Sequence, residues 1–129
     1  MIILDASVLI AHLERADDHH ARATGIMRDN CHDEFAASAV TLAEVLVGAI
    51  RADRGDQVRD ALADLQVQSL GLGADAAWEL ARLRVRTGLK LPDCCVLYAA
   101  GGQPAAKLAT FDARLAGGAA ALGIDVVPG

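Results

Sequence analysis

Four acidic residues stand beside apolar or small residues, at positions where a parallel α/β fold would bring them together: Asp5, Glu44, Asp93 and Asp112. The first follows the apolar run Ile2-Ile3-Leu4, and the last follows Leu108-Ala109-Thr110-Phe111. Taken singly, each aspartate could be a helix cap and the glutamate could be a solvated helix residue. Their chemistry therefore depends on whether the four carboxylates converge.

Several carboxylates that face one pocket repel each other and raise one another's pKa, which costs stability unless a cation binds. A site of oxygen ligands without Cys or His selects a hard cation, Mg²⁺ or Mn²⁺. Such an ion can lower the pKa of a bound water and stabilise charge on a phosphate under attack. A convergent cluster would therefore suit phosphodiester hydrolysis.

The elements that must position these acids alternate between strand and helix, which predicts a parallel sheet with right-handed crossovers. Apolar runs predict a first strand ending at Asp5 and further strands over residues 34–38, 67–70, 106–109 and 124–127. Helices are expected over residues 8–14, 17–30, 41–52, 53–65, 74–87, 92–102 and 112–116. The fold class is therefore α/β.

The carboxyl ends of parallel strands lie at one edge of the sheet, and ligands bind in the crevice there. Asp5 and Asp112 each follow a strand, whereas Asp93 opens a helix that should run antiparallel to the fourth strand. The helix that follows the second strand has one polar or open face, made of Thr41, Glu44, Gly48 and Arg51. Its buried stripe is expected to be Leu42, Val45, Leu46, Ala49 and Ile50. All four acids are thus expected at the same edge.

Composition indicates one domain, residues 1–129, with an aliphatic core, since 53% of the residues are hydrophobic and only 3% are aromatic. The longest uncharged stretch, Cys94–Ala106, has 13 residues and is too short to span a membrane. The amino end does not resemble an export signal, and the three cysteines have neither zinc spacing nor an even number. We therefore expect a cytoplasmic protein with reduced, partly buried thiols and no membrane association.

Four spaced motifs, in this order, resemble those of the PIN-domain nucleases: Asp5-Ala6-Ser7, Thr41-Leu42-Ala43-Glu44 with Gly48, Leu91-Pro92-Asp93, and Thr110-Phe111-Asp112. In size and layout the chain is most similar to the VapC-type toxins of bacterial toxin–antitoxin pairs. The resemblance implies a three-layer α/β/α PIN-like domain with a five-stranded parallel sheet. It also implies a Mg²⁺- or Mn²⁺-dependent endoribonuclease that forms homodimers and is inhibited by a cognate antitoxin protein.

By the same resemblance, Asp5 and Asp93 would be the main metal ligands. Glu44 and Asp112 would complete the catalytic cluster through metal-bound waters or a second ion, and Ser7 or Thr110 would orient the acids. The chain departs from the family pattern in two places. Cys94-Cys95 and Tyr98 replace the alanine-rich continuation that is common after the third acid, and Leu115 stands where an aromatic residue often follows the fourth. These are packing positions, so they leave the chemistry unchanged but could alter the substrate groove.

The net charge of −5 argues against non-specific nucleic-acid binding by the whole surface, but one face can still carry cations. We expect four basic residues to hold the RNA backbone near the acids: Arg51, Arg82, Arg86 and Lys90. The alternative is that these residues belong to solvated helix faces.

Three other functions compete with the toxin. A receiver domain is also a small parallel α/β protein, but it would need a phospho-acceptor aspartate after its third strand, where this chain has Leu70-Gly71-Leu72-Gly73. A housekeeping RNA-processing nuclease would use the same acids. A catalytically inactive PIN-like binding module would not need all four of them.

Overall fold

A computed structural model describes residues 1–128. Its strands are β1 (Ile2–Leu4), β2 (Phe35–Ser38), β3 (Gln68–Leu70), β4 (Lys107–Ala109) and β5 (Asp125–Val126). Its helices are α1 (Ala6–Leu13), α2 (His20–Asp29), α3 (Ala39–Arg51), α4 (Gly55–Asp64), α5 (Ala76–Thr87), α6 (Leu91–Gly101) and α7 (Ala113–Ala121). Every predicted strand and helix is therefore present within these residues, in the predicted order.

The five strands form one parallel sheet in the order β3-β2-β1-β4-β5. The central strand β1 pairs with β2 on one side and with β4 on the other, so that Ile2 lies opposite Phe35 and Lys107. The strand order reverses between β1 and β4, and this is where an open α/β sheet leaves a crevice for a ligand. The order differs from the 2-1-3-4-5 order of flavodoxin-like folds such as CheY, which excludes the receiver-domain alternative.

Alternation along the central strand divides the interior into two cores. Ile2 and Leu4 pack in the core that contains residues of α1 to α4, whereas Ile3 packs in the core formed with α6 and α7. Successive strand residues point to opposite faces of a sheet, so both faces of β1 are covered by helices. The predicted three-layer α/β/α arrangement is confirmed.

The helices and the thiols bear on two of the compositional expectations. No helix within residues 1–128 has the length and apolar character needed to cross a membrane. The thiols of Cys94 and Cys95 are buried and unpaired, whereas Cys31 is exposed.

Several helix boundaries differ from the predicted ones for local reasons. α1 begins at Ala6 rather than at residue 8 because the Asp5 side chain caps it directly. α2 begins at His20, because the carboxylate of Asp17 accepts a hydrogen bond from the His19 backbone N–H in a preceding turn. The prediction that Ile50 is buried was wrong, since this residue is 64% exposed at the end of α3.

Helix α7 is longer than predicted, because Gly117-Gly118 does not end it. Gly118 faces the buried side chain of Leu89, and a Cβ atom built on it would lie 2.9 Å from Leu89 Cδ1. The missing side chain thus allows close packing of α7 on the segment between α5 and α6. Gly117, in contrast, has open space around its Cβ position.

This difference predicts opposite outcomes for two adjacent substitutions. Gly117→Ala should stabilise the protein by roughly 0.5–1 kcal/mol, because alanine restricts the unfolded chain and favours helix. Gly118→Ala should gain less than Gly117→Ala or be destabilising, because its methyl group must displace Leu89. Urea unfolding of both variants measures the difference, and equal gains would contradict the packing argument.

Candidate active site

Asp5 is the first residue after β1, and its carboxylate is held by three hydrogen bonds. Oδ1 accepts from the backbone N–H of Ala6 at 2.8 Å, which caps α1. Oδ2 accepts from Ser7 Oγ at 2.9 Å and from Thr110 Oγ1 at 2.7 Å. The residue is only 8% exposed, so its carboxylate has a fixed position at the carboxyl end of the central strand.

The two hydroxyl groups also tie Asp5 to the loop that follows β4. Ser7 Oγ accepts from the backbone N–H of Phe111 at 3.1 Å, and Thr110 Oγ1 accepts from that of Asp112 at 3.0 Å. Each hydroxyl has a single proton, which it donates to Asp5 while accepting from the loop. Ser7 and Thr110 therefore both contact Asp5, as expected for orienting residues.

Asp112 is fixed by the start of α7. Its Oδ1 accepts from the backbone N–H groups of Arg114 at 2.9 Å and Leu115 at 3.3 Å, so it is the helix cap. Asp5 is likewise a cap. Asp5 and Asp112 can therefore be helix caps and members of an acidic site at the same time, because each cap leaves its carboxylate at the edge of the sheet.

The other two acids are linked to Asp5 electrostatically. Burial raises the pKa of Asp93, and the charges of Asp5 and Asp112 raise it further, against the opposing effect of Lys90 and Arg114. Burial also raises the pKa of Glu44, followed by the charges of Asp5 and Asp93. The structure therefore places Asp93 within electrostatic reach of each of the other three predicted acids.

The polar face predicted for α3 is partly different. Glu44, Gly48 and Arg51 are exposed, and a Cβ atom on Gly48 would meet nothing within 4 Å, so the space beside Glu44 is open. Thr41, however, is fully buried, and its hydroxyl has no hydrogen-bond partner in the described structure. Its assignment to the open face was wrong, because the first turn of α3 is covered on that side.

The donor chemistry suits a hard divalent cation. Within residues 1–128, no three His, Cys, Asp or Glu side chains are arranged so that they could hold a metal ion as they stand. Mg²⁺ normally keeps several waters and uses one or two carboxylates, so a complete protein cage is not required. Burial raises the pKa values of Glu44 and Asp93 most, and a bound cation would relieve the repulsion from neighbouring acids that adds to it.

The basic residues divide into separate groups. Lys90 lies close enough to Asp93 to lower its pKa, whereas Arg82 pairs with Glu79 on the same helix at 3.6 Å. Arg51 ends α3, about 10 Å along the helix axis from Glu44.

Arg114, which also lowers the pKa of Asp93, was not predicted from the sequence. Its position two residues after Asp112, in the exposed first turn of a helix, was a signal that could have identified it.

The raised pKa values predict how the metal-free protein responds to pH. A carboxyl group with a raised pKa binds protons more tightly when folded, so stability is lost as the pH rises above the unfolded values of 3.8 for Asp93 and 4.5 for Glu44. With chelator at pH 7, Asp93→Asn and Glu44→Gln should therefore be more stable than the wild type. The gain should shrink towards pH 4.

Urea unfolding across this pH range measures the effect. Asp60→Asn, which removes an exposed carboxylate from α4, is the matched control and should change little. A loss of stability in both site variants at pH 7 would show that attraction to Lys90 and Arg114, rather than repulsion, dominates.

Comparison with known proteins relates this geometry to a family. The PIN domain model matches residues 2–120. A chain of a toxin–antitoxin complex from Klebsiella pneumoniae is 25% identical, with 90% of each chain covered and a TM-score of 0.71. No curated protein matches significantly.

Two further solved structures share the fold at 17% identity. VapC20 of Mycobacterium tuberculosis, described as a sarcin–ricin loop cleaving toxin, has a TM-score of 0.75 with 100% of both chains covered. VapBC2 of Rickettsia felis, bound to a promoter DNA fragment, has a TM-score of 0.63, covering 87% of this chain and 89% of the other. Since the family match spans nearly the whole chain, the protein belongs to the PIN domain family.

Proposed function

We propose that this PIN domain is a Mg²⁺- or Mn²⁺-dependent endoribonuclease and the toxin of a toxin–antitoxin pair. The observation that carries the proposal is the fixed carboxylate of Asp5, with Asp93, Asp112 and Glu44 near enough that burial and repulsion among the acids raise the pKa of Asp93 and of Glu44. Carboxylates that repel each other are costly in an empty site and are neutralised when a cation binds.

In this proposal, Asp5 and Asp93 hold the cation, and Glu44 and Asp112 complete the cluster through water or a second ion. When bound, the ion supplies a water of lowered pKa and stabilises the charge that develops on the phosphate. Ser7 and Thr110 keep Asp5 in one orientation through their hydroxyl groups. The cap on α7 does the same for Asp112.

The toxin assignment draws support from the solved structures, of which the one at 25% identity comes from a toxin–antitoxin complex. A cognate antitoxin could inhibit the enzyme by placing an arginine among the acids, since guanidinium binds carboxylates in a bidentate manner and would compete with the metal. We further propose that the protein is cytoplasmic and forms homodimers. A housekeeping nuclease would share the chemistry without the antitoxin, and an inactive binding module would not require the four acids.

Cleavage of RNA by the purified, antitoxin-free chain tests the enzymatic proposal. We expect hydrolysis with Mg²⁺ or Mn²⁺ and none with chelator, and a loss of at least about 100-fold in Asp5→Asn and Asp93→Asn, because each removes a metal ligand. Calorimetric titration with Mn²⁺ should show weaker binding in both variants. Asp60→Asn is the control and should retain activity and affinity. Unchanged Mn²⁺ affinity in both site variants would refute the ligand assignment.

Growth after induction tests the biological role. Expression of the chain alone should arrest growth, Asp5→Asn at the same protein level should not, and coexpression of the small protein encoded upstream should relieve the arrest. Asparagine retains the capping oxygen of Asp5 but loses Oδ2, the acceptor for both hydroxyl groups, so circular dichroism of the purified variant must show that it is folded. Cleavage in vitro without arrest in cells would favour the housekeeping nuclease.

A further inference from the structure

A cleft of about 350 Å³ lies between the end of α5 and the outer side of α7, and one of its lining residues, Arg114, acts electrostatically on Asp93. Its walls carry two arginines that are far apart in the sequence, Arg86 from α5 and Arg114 from α7. Its floor includes Leu89 and the two glycines of α7. Both guanidinium groups are exposed, so the cleft opens to solvent with positive charge on two sides.

The cleft is connected to the acids through short, fixed segments. The backbone N–H of Arg114 is bonded to Asp112 Oδ1, and the positive charges of Arg114 and Lys90 both act on Asp93. Lys90 follows Leu89 directly, so the floor of the cleft continues into the first turn of α6.

The segment between α5 and α6 is held in place by its own hydrogen bonds. Gly88 ends α5 with a φ of 71°, and Arg84 Nη1 donates to the carbonyl groups of Gly88 at 2.9 Å and Leu89 at 2.7 Å. Arg84 is therefore a structural residue, whereas Arg86, two positions later, faces the cleft. The positions of Arg86 and Lys90 relative to Asp93 are thus set by the backbone.

We propose that this cleft binds a phosphate of the RNA strand adjacent to the one that is cut, through Arg86 and Arg114. Two arginines that line one cleft from different helices add like charge there unless an anion binds, and their planar N–H groups match the oxygens of a phosphate. Gly117 presents no side chain, which lets a backbone phosphate approach α7 closely. The proposal rests on the proposed RNA substrate and names where its backbone is held.

Arginines in this cleft also reduce the repulsion between the acidic site and an RNA strand. The protein carries a net charge of −5, and four acids surround the site where a polyanion must bind. The cleft supplies positive charge on the side of Asp93, so an RNA strand that crosses the acidic edge of the sheet also has cations near its phosphates. Arg82 has no part in this site, because it lies outside the cleft and pairs with Glu79.

Binding of a fluorescently labelled single-stranded RNA, measured with chelator so that no cleavage occurs, tests the proposal. Arg86→Gln and Arg114→Gln should each weaken binding, and the double variant should lose at least roughly 10-fold in affinity. Because one phosphate contact is lost, the log–log salt slope of the double variant should flatten by about 0.7. Arg59→Gln, an exposed arginine on α4 that pairs with Asp56 at 3.1 Å, is the matched control for charge.

If the folded double variant binds RNA with the same affinity and the same salt slope as Arg59→Gln, the proposal is overturned. The proposed nuclease activity is judged separately, by cleavage with Mg²⁺ in the wild type. Cleavage together with control-like RNA binding in the double variant would refute the cleft alone. Weakened RNA binding in a chain that cleaves nothing would support the cleft and refute the nuclease.

Discussion

The hydrogen bonds to the Asp5 carboxylate connect the loops that follow β1 and β4, where the chain leaves these two paired strands for opposite faces of the sheet. β1 leads into α1 on one face and β4 leads into α7 on the other, so beyond the strands the connection between the two loops is made by side chains. Ser7 and Thr110 supply it, because each hydroxyl donates to Asp5 and accepts from the backbone after β4. A buried carboxylate that received no such bonds would be strongly destabilising.

This arrangement explains how the fold tolerates an acidic cluster. The backbone and hydroxyl donors fix the position of the Asp5 carboxylate, whereas burial, followed by repulsion from neighbouring acids, raises the pKa values of Asp93 and Glu44. Those two residues have fewer fixed partners and more solvent, and they can take up a proton or a cation. Rigidity is thus concentrated on one acid, Asp5, while Asp93 and Glu44 are held less firmly.

The fold and the four acids could be predicted because they depend on local, directional features. An apolar run that ends in aspartate marks a strand end, and parallel strands bring all such ends to one edge. The burial of Thr41, the exposure of Ile50 and the helical conformation of Gly118 could not be predicted, because each depends on elements that are distant in the sequence. Thr41 is buried under a neighbouring layer, Ile50 lies beyond it, and Gly118 is retained within a helix by its contact with Leu89. The position of Arg114 two residues after Asp112 was a usable sequence signal, but its effect on Asp93 depends on the tertiary fold, which brings the first turn of α7 next to α6.

The contact between Gly118 and Leu89 also bears on the chemistry. It sets how closely α7 approaches the segment that leads into α6, and this segment carries Lys90 and then Asp93. The amino end of α7 carries Asp112 and Arg114, so the same approach sets the separation between the charges of Arg114 and Asp93. Coulomb energy in a partly buried site varies steeply with distance, so a small shift of α7 would change the proton affinity of Asp93. Packing that is remote from the acids therefore tunes one of them, and Gly118 bears on the electrostatics of the site as well as on the packing of α7.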